Sequence, residues 1–217
     1  MARYRPLPAA LNRPVRLAVL ISGGGTTLAN LAEKIHDGTL NAQIPLVVAN
    51  RADCGGLARA ATWNLPCEVI LRKSFASVDE FSNSIFSRCR EKSIDLVICG
   101  GFLALLKIPA DFQGRIMNIH PSLIPAFSGQ GFHGTRVHQA ALDRGAKVSG
   151  CTVHFVDDEY DHGPIIVQRT VPVMDDDSAD TLAARVFQEE CKALPDAIRM
   201  FASGQLEVEG SRVRTVS

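Results

Sequence analysis

Short apolar runs alternate with amphipathic stretches through the first 120 residues of the chain. After the first run, apolar residues recur at helical spacing at Leu28, Leu31, Ala32 and Ile35, up to Gly38. This order is typical of a buried strand that leads into a helix. It recurs, and predicts strands at 16–21, 44–49, 66–71, 94–99 and 115–120, with further helices at 53–63 and from residue 77. Alternating strands and helices predict parallel βαβ units, hence an α/β fold with a Rossmann-like, open, mostly parallel sheet flanked by helices.

The pattern changes after Pro125. A glycine-rich loop precedes a predicted short helix at 135–143, and two apolar stretches then predict a pair of strands on either side of a polar turn. A long amphipathic helix follows, and the tail either forms a small hairpin around Glu209-Gly210 or frays. The predicted C-terminal elements are the strands 150–156 and 165–173, the helix 179–201 and the tail 205–216. We expect them to extend one continuous sheet.

Composition narrows the class of protein. Lys plus Arg and Asp plus Glu both total 23, so no net charge indicates a nucleic-acid partner. No apolar run is long enough to span a membrane, and residues 1–14 lack the apolar segment of a secretory signal. We expect 1–14 to be a flexible N-terminal extension and 15–217 to be a single domain. The six cysteines follow no metal-ligand spacing, so we expect no metal, and free thiols are typical of a reducing cytoplasm. Small molecules are the expected partners, and the oligomeric state stays open.

A glycine-rich turn, Ser22-Gly-Gly-Gly-Thr-Thr27, joins the first predicted strand to the first helix. Backbone N–H groups at a helix N-terminus can bind an anion, and glycines let the backbone approach it closely. The turn has neither the G-x-G-x-x-G pattern nor G-K-[ST], which disfavours NAD and ATP and favours a phosphomonoester. The alternative is a tight turn that binds nothing.

Polar residues end the fifth predicted strand. In Met117-Asn-Ile-His120 the alternation places Asn118 and His120 on the same side of an extended chain. Ligands of open α/β sheets bind at the carboxyl ends of strands. An imidazole can move a proton near neutral pH, and an amide can donate to a developing oxyanion. Asp161 is the best candidate for a carboxylate that orients the imidazole, although its spacing does not show that the two meet. The alternative is a structural histidine at a strand end.

Five segments of the sequence resemble segments of a known protein family. They are Leu20-Ile-Ser-Gly-Gly-Gly-Thr-Thr-Leu28, Gly100-Gly-Phe-Leu103, Met117-Asn-Ile-His-Pro-Ser-Leu-Ile-Pro125, Gly150-Cys-Thr-Val-His-Phe-Val156 and Tyr160-Asp-His-Gly-Pro-Ile-Ile166. In order and spacing, over nearly the whole chain, they resemble the phosphoribosylglycinamide formyltransferase family, the folate-dependent enzymes of purine synthesis. N-x-H-P-S followed by D-x-G-P is typical of enzymes that use formyltetrahydrofolate, and the glycine turn near the N-terminus favours the glycinamide branch.

The resemblance implies transfer of a formyl group from 10-formyltetrahydrofolate to the amine of N1-(5-phosphoribosyl)glycinamide. By position, Asn118 would hold the formyl oxygen as it becomes an oxyanion, His120 would be the general acid/base, and Asp161 would raise the pKa of the histidine. The ribotide would be bound by Gly25, Thr26 and Thr27 at its phosphate and by Glu190 at its ribose hydroxyls. The folate would be bound, partly through the backbone, by Leu103, Ala104, Leu105, Leu106, Asn118, Asp157, Asp158 and Asp161.

The chain also departs from the family pattern. Ala104 and Val78 stand where arginines are common, which leaves the contacts to the folate tail open. Phe187 stands where a polar residue often meets the substrate. The loop 128–136 is longer than in many relatives, and it either brings His133 or Arg136 to a ligand or is a mobile surface loop.

Three other functions remain as alternatives. A formyltetrahydrofolate hydrolase shares the Asn, His and Asp set, but its family carries an N-terminal regulatory domain, for which we expect 14 residues to be too few. A methionyl-tRNA formyltransferase would need a C-terminal tRNA-binding domain and a basic surface. A non-catalytic nucleotide- or phosphate-binding module is the alternative from another class, and the set of Asn118, His120 and Asp161 argues against it.

Overall fold

A computed structural model describes residues 3–216. In this part of the chain, ten strands form one sheet in the order β1-β9-β10-β8-β7-β6-β5-β2-β3-β4. The strands are β1 (Arg3–Tyr4), β2 (Val15–Ile21), β3 (Ala42–Ala49), β4 (Cys67–Val69), β5 (Leu96–Cys99), β6 (Ile116–His120), β7 (Val148–Phe155), β8 (Ile165–Pro172), β9 (Leu206–Glu209) and β10 (Arg212–Thr215). The helices are α1 (Thr26–His36), α2 (Gly56–Thr62), α3 (Val78–Glu91), α4 (Thr135–Asp143) and α5 (Ala179–Ala202). The predicted fold class, an open and mostly parallel sheet flanked by helices, is confirmed.

The centre of the sheet is buried on both faces. In β2, Leu17 and Val19 pack on one side and Ala18 and Leu20 on the other, and all four are fully buried. Successive side chains of a strand point to opposite faces, so a continuous apolar run is what a doubly covered strand requires. Helices α1, α2, α4 and α5 contribute to the core of the first side, and α3 contributes to the second. None of the helices within residues 3–216 is both long and apolar enough to cross a membrane.

Two predicted elements are shortened most, one helix and one strand. The helix predicted at 53–63 begins only at Gly56, because the pair of glycines at its start disfavours helical backbone. The strand predicted at 66–71 is reduced to Cys67–Val69, since it lies at the edge of the sheet and pairs with β3 over three residues.

The C-terminal half extends the same sheet mostly with antiparallel pairing, and β10 pairs with β8 in parallel. Strand β7 lies between β6 and β8, antiparallel to both, and the polar turn between β7 and β8 returns the chain towards the end of β6. The tail forms an antiparallel hairpin of β9 and β10, as one of the two predicted outcomes. Helix α5 packs against β7 and β8 and presents one face to the carboxyl end of the sheet.

The N-terminal segment lies against the domain. Arg3–Tyr4 pairs with the edge strand β9, the Leu11 N–H donates to the Ala202 carbonyl at 2.8 Å, and Arg13 pairs with Asp95 at 2.6 Å. An edge strand offers unpaired backbone groups, and β1 uses those of β9. The described part of the predicted flexible extension is thus packed in place, while residues 1 and 2 lie outside the described chain. The assignment of 15–217 as a single domain stays a prediction.

Candidate active site

A cavity of about 680 Å³ opens at the carboxyl ends of β2, β5 and β6. Its walls come from the start of α1, the segment 101–106 after β5, the end of β6, the loop 129–135, the turn 156–161 and the inner face of α5. Small-molecule sites usually enclose about 300–1,000 Å³. The cavity therefore has room for a ligand the size of a nucleotide or a folate.

The cavity brings together three residues that are far apart in the sequence. Asn118 and His120 project from the same side of β6 because one residue separates them. Asp161 reaches them from the turn after β7. Its carboxylate lies 3.3 Å from His120 (Nδ1 to Oδ2) and accepts a hydrogen bond from Asn118 Nδ2 at 3.2 Å through Oδ1. The contact between Asp161 and His120, which the sequence left open, is thus present.

Asp161 is held in a constrained position. Its φ is 53°, in the left-handed region that residues other than glycine seldom adopt. The backbone N–H of Gly129 donates to Oδ2 at 2.9 Å. Burial acts to raise the pKa of Asp161, but the neighbouring imidazoles of His154 and His120 and the Gly129 N–H together hold this pKa below its usual value. The side chain is therefore a carboxylate at neutral pH.

His120 is buried, and both of its ring nitrogens face oxygen atoms. Nε2 lies 2.9 Å from the Phe127 carbonyl, which can only accept, so Nε2 carries a hydrogen. Burial lowers the pKa of His120, against the opposing influence of the Asp161 carboxylate and the Phe127 carbonyl. The resemblance implied that Asp161 raises this pKa. The carboxylate acts in that direction, but the net shift is downward because burial has the larger effect.

Two histidines that sequence reasoning missed also face the cavity. His154 lies on β7 directly opposite Asn118, with its Nε2 3.1 Å from Asn118 Nδ2. His138, on α4, is buried with no hydrogen-bond partner for Nδ1 among the described residues. Burial and the charge of His120 lower the pKa of His138. The spacing of Thr152 and His154 could show that they share a strand face, but only the pairing of β7 with β6 reveals what that face meets.

The glycine turn differs from expectation at one position. Thr26 and Thr27 line the cavity at the start of α1, where the first backbone N–H groups have no partner within the helix. Gly25 does not line it. Gly25 precedes the helix at φ 74°, and a Cβ at this position would lie 2.7 Å from the Gly56 Cα. Its contribution is to shape the turn, because only glycine fits both the backbone angle and the close contact.

Helix α5 supplies the opposite wall. Ala183, Phe187 and Glu190 lie on the helix face that lines the cavity, one turn apart. Burial raises the pKa of Glu190 to about 7. Near neutral pH this side chain can both donate and accept hydrogen bonds.

The segment predicted to bind folate forms an apolar wall. Leu103, Ala104, Leu105 and Leu106 all line the cavity. This segment is tied to the glycine turn, because the Leu103 N–H donates to Ser22 Oγ at 2.9 Å.

The turn after β7 meets the expectation only in part. Asp157 lines the cavity together with Asp161, and its carboxylate lies 2.7 Å from His162 Nδ1, which raises the pKa of His162. Asp158, for which a backbone role was expected, is outside the cavity lining, and its side chain pairs with Lys107 at 2.8 Å on the surface. Tyr160, which was not predicted, lines the cavity, and its hydroxyl donates to the Leu103 carbonyl at 3.4 Å.

The loop 128–136 contributes to the wall of the cavity. Residues 129–135 line it, including Phe132 and His133, whereas Arg136 is exposed outside the lining. Within residues 3–216, His, Cys, Asp and Glu side chains form no group with the geometry of a metal site. The expected absence of a metal stays a prediction.

The cavity lies at the carboxyl ends of the central strands and contains Asn118, His120 and Asp161. Its place in the fold can be compared with known protein families. Residues 15–198 fit the family model described as formyl transferase, and the chain belongs to this family. The family resemblance found in the sequence is confirmed.

Particular relatives narrow the comparison. A phosphoribosylglycinamide formyltransferase of Haemophilus influenzae is 36% identical over 196 residues, which are 89% of this chain and 90% of that protein. A trifunctional purine biosynthetic protein adenosine-3 of Gallus gallus is 41% identical over 196 residues, but the chain spans only 19% of its length. The crystal structure of glycinamide ribonucleotide transformylase 1 from Symbiobacterium toebii superposes with a TM-score of 0.88 at 38% identity, over 95% of this chain and 96% of that one.

Proposed function

We propose that this protein transfers the formyl group of 10-formyltetrahydrofolate to the amine of N1-(5-phosphoribosyl)glycinamide, giving formylglycinamide ribonucleotide and tetrahydrofolate in de novo purine synthesis. The proposal rests on the groups that line one cavity and on their positions relative to each other. A helix N-terminus suited to a phosphate lies at one side, an apolar wall at another, and the pair of His120 and Asp161 between them. The names of the relatives support the same reaction.

The ribotide half of the site is supported by the start of α1 and the inner face of α5. The N–H groups at the start of α1 and the hydroxyls of Thr26 and Thr27 suit a phosphomonoester. Glu190, across the cavity, suits the ribose hydroxyls because a carboxyl group can bond to both members of a diol. Phe187 adds an apolar surface beside it, so this chain has fewer polar contacts to offer the ribotide than the family pattern supplies.

The folate half of the site is supported by apolar side chains and exposed backbone. Leu103, Leu105, Leu106 and Val156 offer a surface on which a flat ring system can pack, and the turn 157–161 adds backbone groups at its edge. 10-Formyltetrahydrofolate supplies the formyl group when bound. Ala104 provides no charge for its carboxylate tail, so we expect tail length to affect binding weakly.

His120 is proposed as the proton carrier. The ribotide amine loses a proton as its nitrogen bonds to the formyl carbon, and the folate nitrogen gains one as its bond to that carbon breaks. An imidazole can accept the first proton and return the second, so no net proton is consumed. Nε2 bonds to the Phe127 carbonyl and Nδ1 faces Asp161. A substrate must therefore replace the Phe127 carbonyl, and the ring hydrogen must lie on Nδ1 towards Asp161, before Nε2 can accept a proton.

Asp161 is proposed to hold the imidazole and to stabilise its protonated form. Its low pKa keeps the charge in place throughout the reaction. Asn118 is the candidate for holding the formyl oxygen. Both hydrogens of its amide are directed at protein groups, His154 and Asp161, so one of these bonds must be exchanged for a bond to the oxyanion.

The experiment is a formyl-transfer assay on the purified chain with both substrates. We expect formylated ribotide and tetrahydrofolate in equal amounts, and loss of most of kcat in His120→Ala with ribotide binding retained. Release of tetrahydrofolate without ribotide would indicate the hydrolase instead. Binding of both substrates without turnover would leave only the binding module.

The hydrolase is the less supported alternative, because the relatives compared above are named for transfer to phosphoribosylglycinamide or for purine synthesis. The proposed partners are therefore two small molecules. The absence of nucleic-acid and membrane partners and the cytoplasmic location stay predictions.

A further inference from the structure

His154 is buried beside the pair of His120 and Asp161, yet it has no part in the proton transfer proposed above. It lies on β7 opposite Asn118 of β6 and is 1% exposed. Its Nε2 is 3.1 Å from Asn118 Nδ2 and 3.7 Å from Asp161 Oδ1. The imidazole therefore closes one side of the group formed by Asn118, Asp161 and His120.

Two neighbours fix the tautomer of His154. Nδ1 lies 2.8 Å from the Phe155 carbonyl, which only accepts, so Nδ1 carries the hydrogen. Nε2 faces the amide nitrogen of Asn118, which only donates, so Nε2 must present its lone pair. Both bonds are satisfied together only by a neutral imidazole with its hydrogen on Nδ1.

We propose that His154 is a positioning residue that fixes the amide of Asn118 with its nitrogen towards the reaction centre. This inference rests on the proposed function. One amide hydrogen is directed at His154 Nε2 and the other at Asp161 Oδ1, at 3.1 and 3.2 Å. A flipped amide would set its oxygen against two acceptors, so the observed orientation is doubly favoured. The hydrogen directed at Asp161 is then the one that a developing oxyanion can share, while His154 keeps the amide plane in place.

The same geometry links His154 to the proton carrier. Asp161 accepts from Asn118 through one oxygen and faces His120 through the other. A loose Asn118 amide would therefore disturb the carboxylate that orients His120. The titratable groups that face this network are His120 and Asp161 within it and His138 on α4.

The kinetic test compares three variants of β7. His154→Leu removes the acceptor, and we expect kcat to fall on the order of ten- to a hundredfold, with the KM of each substrate changed by less than about threefold. In His154→Gln the side-chain oxygen can accept near the position of Nε2, and we expect it to restore most of kcat. Val153→Ala, a neighbour whose side chain is buried in the core, is the packing control and should lower stability while keeping the pH profile of kcat.

A second measurement needs neither a variant nor turnover. Long-range ¹⁵N–¹H spectra of the histidine-labelled protein at about pH 8 should show the hydrogen of His154 on Nδ1. A hydrogen on Nε2, or equal kcat in His154→Leu and wild type, would overturn the inference. So would equal losses in His154→Gln and His154→Leu. If the wild-type protein failed to transfer formyl groups, the proposed function would fall, and the tautomer would still decide whether His154 holds Asn118 as described.

Discussion

Replacing Asp161 by Asn would remove one negative charge from the centre of the cavity with almost no change in volume. The Asn side chain can still accept from the Gly129 N–H, so the turn should keep its conformation. His120 would lose the carboxylate that lies 3.3 Å from Nδ1. Because burial already lowers the pKa of His120 and the carboxylate opposes this, Asp161→Asn should lower that pKa further and deplete the protonated imidazole.

The size of the effect follows from the bond that is lost. A hydrogen bond to a charged group contributes about 1.5–3 kcal/mol, and about 1.4 kcal/mol corresponds to a factor of ten. Only 10% of the Asp161 side chain is exposed, so solvent screens little of this energy. We expect kcat to fall roughly ten- to a hundredfold, with the ribotide KM nearly unchanged.

The assay for Asp161→Asn is formyl transfer measured across pH, with Asp158→Asn as the matched control. Asp158 lies on the same turn and undergoes the same chemical change, but its carboxylate pairs with Lys107 on the surface. We expect Asp158→Asn to behave like wild type. A kcat for Asp161→Asn within about twofold of wild type, or equal losses in the two variants, would refute the argument that the carboxylate supports His120.

Two further predictions concern the walls of the cavity. Gly25→Ala should raise the ribotide KM more than the folate KM and reduce the free energy of unfolding by about 1–2 kcal/mol or more, because φ 74° and the approach to Gly56 both exclude a Cβ. Gly24→Ala is the control, because its added Cβ would meet nothing within 4 Å. Equal stability of the two variants in denaturant unfolding would contradict the prediction for Gly25. Glu190→Gln should abolish a pH dependence of stability, since burial raises the pKa of Glu190 from 4.5 to about 7 in the folded protein. A raised carboxyl pKa contributes stability that is complete below about pH 4.5 and is lost as pH rises through about 7. The contribution is at most about 3 kcal/mol. Identical unfolding curves of variant and wild type from pH 4 to 8 would refute this pH dependence.

Most of the fold could be predicted because its signals are local. The apolar run of β2 and the helical period of α1 lie within single windows of sequence, and helix α4 has the predicted bounds. The ends of elements depend on pairing, which is not local. Thus β4 is short because it has one neighbour, and Arg3–Tyr4 is a strand because β9 lies nearby.

The candidate site could be predicted only where one strand or turn determines it. Asn118 and His120 share a side of β6 because the period of a strand is two. The contact of Asp161 with His120 requires a turn with a left-handed residue, and the contact of His154 with Asn118 requires the register of β7 on β6. Neither feature has a sequence signal. The family resemblance implies a backbone role for Asp158 at the folate, which stays a prediction, while its side chain pairs with Lys107 on the surface.

Burial acts on the two ends of this cavity in a way that favours its proposed ligands. It lowers the pKa of His120 and raises that of Glu190 to about 7, so both groups are moved towards their neutral forms. Asp161 is the exception, because the nearby histidines and the Gly129 N–H favour its charged form. A phosphomonoester brings negative charge and would be repelled by Asp161 and by an ionised Glu190, which leaves the N-terminus of α1 as the wall that attracts it. Partial neutralisation of Glu190 then allows its carboxyl group to meet a ribose without opposing the phosphate. The charge pattern thus supports one orientation of the ribotide, with its phosphate at Thr26 and Thr27 and its amine towards His120.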